Sequence, residues 1–579
     1  MSTSNSIIKL FGKALIGKEL NFQNLTISSM QVGYLIHPDC ATLEVMEFLK
    51  DQKVNYNSTF YKTWSDVTSK NRLELFIDQV LHYMSTYGTD FQGTPYIPNE
   101  NPHNIPWTEF KVILPITTEE VIERCEKMLS SGIALKGETI ELIFNALQQV
   151  GHNVDLEIVK NKEAKMYLHV KTGTTPKYPV EIVRFIVYLA TGKSLLIKDK
   201  STIEAVKASS VDINKFDLEK LAQVFFRFKP IFLALKQNKS RNKFVINKIR
   251  RLAKTEHKPL KKGLLESVLG DANYYSDFIK QIDKISNFKK VQLMQTILVR
   301  KKELSTQVYP IRNGKIWIKE GKLKREYSNA QYLDLLYSIL RNFLIHSLSE
   351  KKGEFYIPSG MNITCPTSEK NFIGAYPIGT SFDLTNSDAI VGIHWRGIEG
   401  ANDLDLKLID IEGNQYGWNA AYYNNNQSLV FSGDMTSANP EATELFYASK
   451  GFSPAIVKVN LYSGNPNSKF RFFIAKEKIN NIQRGYMVNP NNIIFQVESE
   501  MDSQEKSLGV ITGDKFILSQ FRTGRGRVAG DSVTNKYTEY ALNTLDCFVD
   551  LKSILLEAGF TIKEQKMEFV KDDLIRLFS

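Results

Sequence analysis

Residues 402–444 read NDLDLKLIDIEGNQYGWNAAYYNNNQSLVFSGDMTSANPEATE. Among short β-type runs this stretch sets Asp403, Asp405, Asp410, Asn424, Asn425, Asp434 and Glu444. Carboxylate and amide oxygens converging from strand ends and loops are what a hard cation such as calcium requires. The spacing is not that of an EF-hand, whose ligands fall within twelve consecutive residues. In DLDLKLID, Asp403 and Asp405 alternate with Leu404 and Leu406, so a strand would turn both carboxylates to one side and the leucines into a core. Two like charges roughly 6–7 Å apart on one strand face repel unless something positive lies between them. SGD at 432–434 adds a third carboxylate where an apolar run ends, and YYNNN at 422–426 offers amide oxygens beside it. The plainer alternative is a solvated sheet face with turn asparagines.

The order of these elements resembles the TerD family, the tellurite-resistance and stress-response β-sandwich domains. The elements are the DLDL strand, a D-x-x-G turn (Asp410, Gly413), Tyr423-Asn424-Asn425, Ser432-Gly433-Asp434 and a downstream acidic residue. An aromatic strand, GIHW, precedes DLDL, and a strand ending LYSG follows SGD. The likeness spans residues 375–480, under a fifth of the chain. It implies a calcium-binding sandwich with Asp403, Asp405, Asn424, Asp434 and Glu444 as ligands. The loop after SGD, MTSANPEATE, is less acidic than in many family members. That leaves Glu441 and Glu444 open, and points to one ion where others hold two.

Outward from this segment, strand-like runs recur from residue 354 at intervals of roughly 10–20 residues, separated by GN, NPN and TG turns. Examples are EFYIPSGMNITC, AIVGIHWRG, SLVFSG, AIVKVNLYSG, KFRFFIAK and NIIFQVES. Upstream, residues 41–350 show apolar spacings of three and four, as in NRLELFIDQVLHYMSTY, TEEVIERCEKMLSS, PVEIVRFIVYLATG and DLEKLAQVFFRFKPIFLALKQ. Successive helical hairpins of this kind suit an irregular α-solenoid, with a compact helical domain as the alternative. QVYPIRNGKIWIKEG interrupts them with an Asn313-Gly314 hairpin signal. The expected fold is therefore α+β and multidomain. It comprises an N-terminal helical region (1–150), a basic helical-repeat region with a hairpin at 306–320 (151–353), and a TerD-like β-sandwich with a C-terminal helix (354–579).

The net charge of +11 is unevenly spread: residues 151–330 hold 38 Lys/Arg against 17 Asp/Glu, so the rest of the chain is mildly acidic. An anionic partner, RNA or DNA, is expected there. The densest part, KQNKSRNKFVINKIRRLAKTEHKPLKKG (236–263), contains Lys239, Arg241, Lys243, Lys248, Arg250, Arg251, Lys254, Lys258, Lys261 and Lys262 with one acidic residue. Such a set could follow a phosphate backbone, though few aromatics accompany it for base stacking. A helical array ahead of a separate domain resembles, in arrangement only, the Ro ribonucleoprotein (TROVE) family; the DxSxS motif of that family's metal-binding domain is absent. FRTGRGRVAG (521–530) could cradle phosphate through Arg522, Arg525 and Arg527, but no Walker Lys-Ser pair follows it.

No apolar run approaches the roughly 20 residues of a membrane span, and the N-terminus reads as an amphipathic helix rather than a signal peptide. Cys40, Cys125, Cys365 and Cys547 form no CxxC pair, which argues for small buried hydrophobes in a reducing cytoplasm. The eight histidines form no HExxH or HxH, there is no GxSxG, and His394 reads as structural. The expected function is that of a non-catalytic calcium-binding scaffold of stress-response type, a TerD-like sandwich on a basic helical platform that docks an anionic or protein partner. The alternatives are a nucleic-acid-binding protein and a structural or cargo protein of a phage-like particle.

Overall fold

The structure is a computed structural model describing residues 5–578 except 53, 87–109, 132–134, 195–199, 239, 256–262, 271–273, 311–315, 322–328, 369–370, 398–401, 439, 453, 466, 478–487, 502, 521, 524–530 and 565–570. It is mixed α and β, helices dominating from 118 to 349 and strands from 354 to 523. Local chemistry sets the helix ends. Thr117, Asn161, Ser286 and Asn329 each accept a first-turn N–H, while Gly173 and Gly192 close helices with positive φ. The run expected as one helix at 217–237 is two, Leu218–Val224 and Lys229–Asn238. Pro230 has no N–H to give an upstream carbonyl, so the helix restarts with proline in its first turn. The hairpin expected at 306–320 is present as Thr306–Pro310 paired antiparallel with Ile316–Glu320; its Asn313-Gly314 turn lies outside the described residues.

Two larger antiparallel arrays follow. In one, the neighbours run Gln415–Tyr416, Asp403–Asp410, Ala455–Ser463, Glu505–Ile511, Lys515–Leu518, Ser381–Asp383, Met361–Asn362. The other orders Leu429–Phe431, Glu441–Ala448, Asp388–Arg396, Lys469–Glu477, Ile493–Glu500. Glu441–Ala448 corrects the sequence reading, which took MTSANPEATE for a loop: Glu444 lies in a strand, opposite Ile393. The first 150 residues also contain strands beside their helices, a parallel sheet ordered Lys13–Leu15, Lys111–Ile116, Tyr34–Ile36.

The N-terminal segment packs directly on the second array. Tyr61 N–H donates to Ser432 O at 3.0 Å and Thr443 N–H to Ser58 O at 2.8 Å. Tyr56 meets Phe473 and Trp64 meets Tyr447 with ring centroids 4.3 and 5.3 Å apart. One continuous apolar core reaches from Ile7 to Phe578, while Ile182, Phe185, Leu221, Phe232 and Ile249 belong to a separate cluster under the basic helices. The four cysteines are buried free thiols, and burial pushes Cys40 and Cys547 up to about 11 and Cys125 to about 12. Among the described residues no helix is long and apolar enough to cross a membrane.

Candidate metal centre

Strand Asp403–Asp410 places Leu404, Leu406 and Leu408 in the core and turns Asp403 and Asp405 to its other face, as the alternation requires. Asp434 arrives from the second array through the SGD turn, where each residue has a task. Ser432 Oγ accepts the Leu445 N–H at 2.9 Å. Gly433 takes φ +92°, and a Cβ there would stand 2.7 Å from Phe60 and 2.8 Å from Tyr61, so only glycine fits. Asp434 then meets Asp403 and Asp405, and one carboxylate oxygen from each lies within 4.8 Å of the others. All three are at most 2 % exposed.

Glu444 stands beside them, fully buried, its two oxygens accepting Leu406 N–H at 2.6 Å and Met435 N–H at 3.0 Å. Burial first, then Asp434 and Asp403, holds the Asp405 carboxyl well above the usual carboxylate range; Glu444 is raised likewise, by burial and then by Asp434 and Asp405. Burial pushes Asp434 up to about 6. Asn460 steadies Asp405 by donating from Nδ2 to Oδ2 at 2.8 Å.

Sequence reasoning missed the roof of this site. Helix Arg72–Thr86 donates Tyr83 OH to Asp434 Oδ2 at 2.5 Å and Gln79 Nε2 to the same oxygen at 3.3 Å. Tyr422 OH in turn donates to Gln79 Oε1 at 2.5 Å, and His82 Nε2 lies 3.0 Å from Thr436 Oγ1. The available signal was the polar set Asp78, Gln79, His82, Tyr83, which recurs at helical spacing.

Of the other expected ligands, Asp410 does not join the cluster, and Asn424 and Asn425 belong to the loop before Leu429–Phe431. Asp410 lies five residues along the strand from Asp405, about 17 Å away. Its Oδ1 accepts Glu412 N–H at 2.9 Å and Asn414 N–H at 2.8 Å, which makes it the acceptor that folds the D-x-x-G turn. Asn424 closes its own loop, accepting Leu429 N–H at 3.0 Å and donating to Ser428 Oγ at 2.8 Å, and Asn425 is exposed. Glu441 is paired instead with buried His394, Oε2 to Nε2 at 2.6 Å.

No family model, curated protein or solved structure matches the chain.

The donor set suits a hard cation. It is all oxygen, carries several negative charges, and retains a buried oxygen, Asp434 Oδ1, with no hydrogen-bond partner. Of the expected phosphate-contacting cations, Lys243, Lys248, Arg250, Arg251 and Lys254 are exposed on helix Ser240–Thr255. Lys239, Lys258, Lys261 and Lys262 lie outside the described residues, as does the side chain of Arg241. Of the 521–530 loop, Arg522–Thr523 is a short strand beside Glu505 and Lys506, and the rest lies outside the described residues.

Proposed function

We propose that this protein is a non-catalytic, calcium-binding scaffold. In this reading the two arrays are the layers of a TerD-like β-sandwich, and an irregular solenoid of helices is the platform that carries it. The observation that carries the proposal is the convergence of Asp403, Asp405 and Asp434 from two separate arrays into one buried point. Carboxylates so placed repel one another unless they are protonated or share a cation. Burial also favours a structural ion over a catalytic one: with every ligand at most 2 % exposed, a bound substrate has no approach to the metal. The motif order of the TerD resemblance supports calcium; the ion would tie Asp434, and through it the Arg72–Thr86 helix, to the DLDL strand.

Adding calcium to the chelator-treated full-length protein is expected to raise its stability by about 2.7 kcal/mol at 100 times Kd. Differential scanning calorimetry reads this directly, and an unchanged melting temperature at millimolar calcium overturns the reading.

A second reading concerns the partner and is favoured by the five exposed cations of helix Ser240–Thr255. We infer that this face contacts the phosphate backbone of RNA or DNA. Affinity for a single-stranded oligonucleotide should then fall with salt, log Kd against log salt having a slope of about 0.7 per phosphate neutralised. Fluorescence anisotropy between 50 and 200 mM salt measures it; salt-independent binding, or none, overturns this reading and leaves the calcium reading standing.

A further inference from the structure

A cavity of about 190 Å³ lies between the first array and helix Asp531–Asn543. Tyr537, Tyr540, Ala541 and Thr544 recur at i, i+3, i+4 and i+7 along this helix and its end, so a single helical face lines the cavity. Across from it stands the cross-strand pair Val510 and Ile517, and Val299 reaches in from helix Asn287–Lys301. Val308, Ile456, Val510, Tyr537 and Ala541 form a small buried cluster here, apart from the main core. Protein interiors leave few spaces larger than a water molecule. A cavity of this size where helices meet a sheet is the kind of place in which small ligands bind. Asn371 in its wall is exposed, so the cavity opens to solvent on that side.

The lining selects the ligand. Among the described residues that line the cavity there is no Asp, Glu, Lys, Arg or His. Burial keeps its thiols and phenols protonated, pushing Cys547 up to about 11 and Tyr537 up to about 12, and raising Cys365 well above the usual thiol range. A wall without charge offers no counter-ion, so the ligand it suits is uncharged. Size narrows the class further. An engineered cavity of about 150 Å³ takes up benzene, so this one has room for a single ring with small substituents. Tyr537, Tyr540 and Phe548 supply aromatic contacts to such a ring. One hydroxyl pair fixes its polar end: Ser519 Oγ and Tyr537 OH lie 2.6 Å apart. Whichever of the two donates, Ser519 Oγ keeps a lone pair that accepts an O–H.

We propose that this cavity binds a small uncharged phenol, its ring among Tyr540, Val510 and Ile517 and its hydroxyl donating to Ser519. No lining residue belongs to the acidic cluster or to helix Ser240–Thr255, so the proposal stands apart from both readings above.

Isothermal titration calorimetry of the full chain with p-cresol should show one site with a Kd of about 0.1–1 mM, as so small a ligand allows. Benzoate, charged at pH 7, should not bind. Ser519→Ala should weaken p-cresol roughly 5-fold and leave toluene unchanged, because only the hydroxyl loses a hydrogen bond. Ala541→Leu fills the cavity and should abolish binding of both rings. Val299→Phe fills it from a half-buried position and should do the same, which keeps the test sound where the first variant misfolds. The proposal is overturned by no heat from p-cresol at millimolar concentration, by benzoate binding as tightly, by equal effects of Ser519→Ala on p-cresol and toluene, or by binding that survives both filling variants.

Discussion

Replacing Asp434 with Asn is expected to stabilise the metal-free protein at neutral pH and to abolish its response to calcium. The carboxyl is fully buried beside Asp403, Asp405 and Glu444, and its pKa rises from 3.8 to about 6. A group whose folded pKa lies above its unfolded value favours the folded state below the unfolded pKa and loses that contribution as pH climbs through the folded one. For Asp434 the loss falls between about pH 4 and 6, and above it the folded protein carries a charge worth about 3 kcal/mol against it. Asparagine keeps an acceptor for Tyr83 and Gln79, removes the charge, and offers an N–H to the neighbouring carboxylates. Urea denaturation in chelator should therefore give wild type and Asp434→Asn similar stability near pH 4 and a gap of about 3 kcal/mol by pH 7. In the same variant the calcium-induced rise in melting temperature should vanish, since a divalent ion needs the ionised ligand. A gap that does not grow with pH would show that Asp434 is not held in this electrostatic setting.

The second large effect lies one strand away. Lys458 and Glu505, 0 and 2 % exposed, form an ion pair between the adjacent strands Ala455–Ser463 and Glu505–Ile511, beside the Asn460 that holds Asp405. Lys458→Met leaves a carboxylate buried without its cation and is expected to cost about 3–5 kcal/mol. Adding Glu505→Leu removes the stranded charge, and the double variant should recover most of the loss. Chemical denaturation of the two variants distinguishes an uncompensated charge from a packing defect: a double variant no more stable than the single one would exclude the electrostatic cause.

Strands with strict two-residue alternation were legible in the sequence, and so was the part of the site that depends on them. Asp403 and Asp405 share a face because period two forces it, and the apolar run before SGD delivers Asp434 to the same place. Asp410 was misread because the residue types that ligate calcium also fold turns by accepting the N–H two to four residues on. EATELFYA escaped notice as a strand because Ala and Glu have poor β propensity, and only burial on both faces selects it. The Arg72–Thr86 helix was legible as a helix but not in orientation. Periodicity reports that a stripe exists, not which side meets the protein, and the acidic partner that decides the matter is 351 residues away.

That distance has a consequence for how the molecule is made. The helix bearing Gln79 and Tyr83 leaves the ribosome long before Asp434 exists, and translation at 5–20 residues per second separates the two by roughly 20–70 s. Through that interval the polar side of the helix has no acidic pocket to enter, while its apolar side is already complete. Closing a loop of this length is among the late steps of folding. The carboxylate cluster is therefore assembled late, as a latch joining an early chain segment to a turn made 351 residues after it.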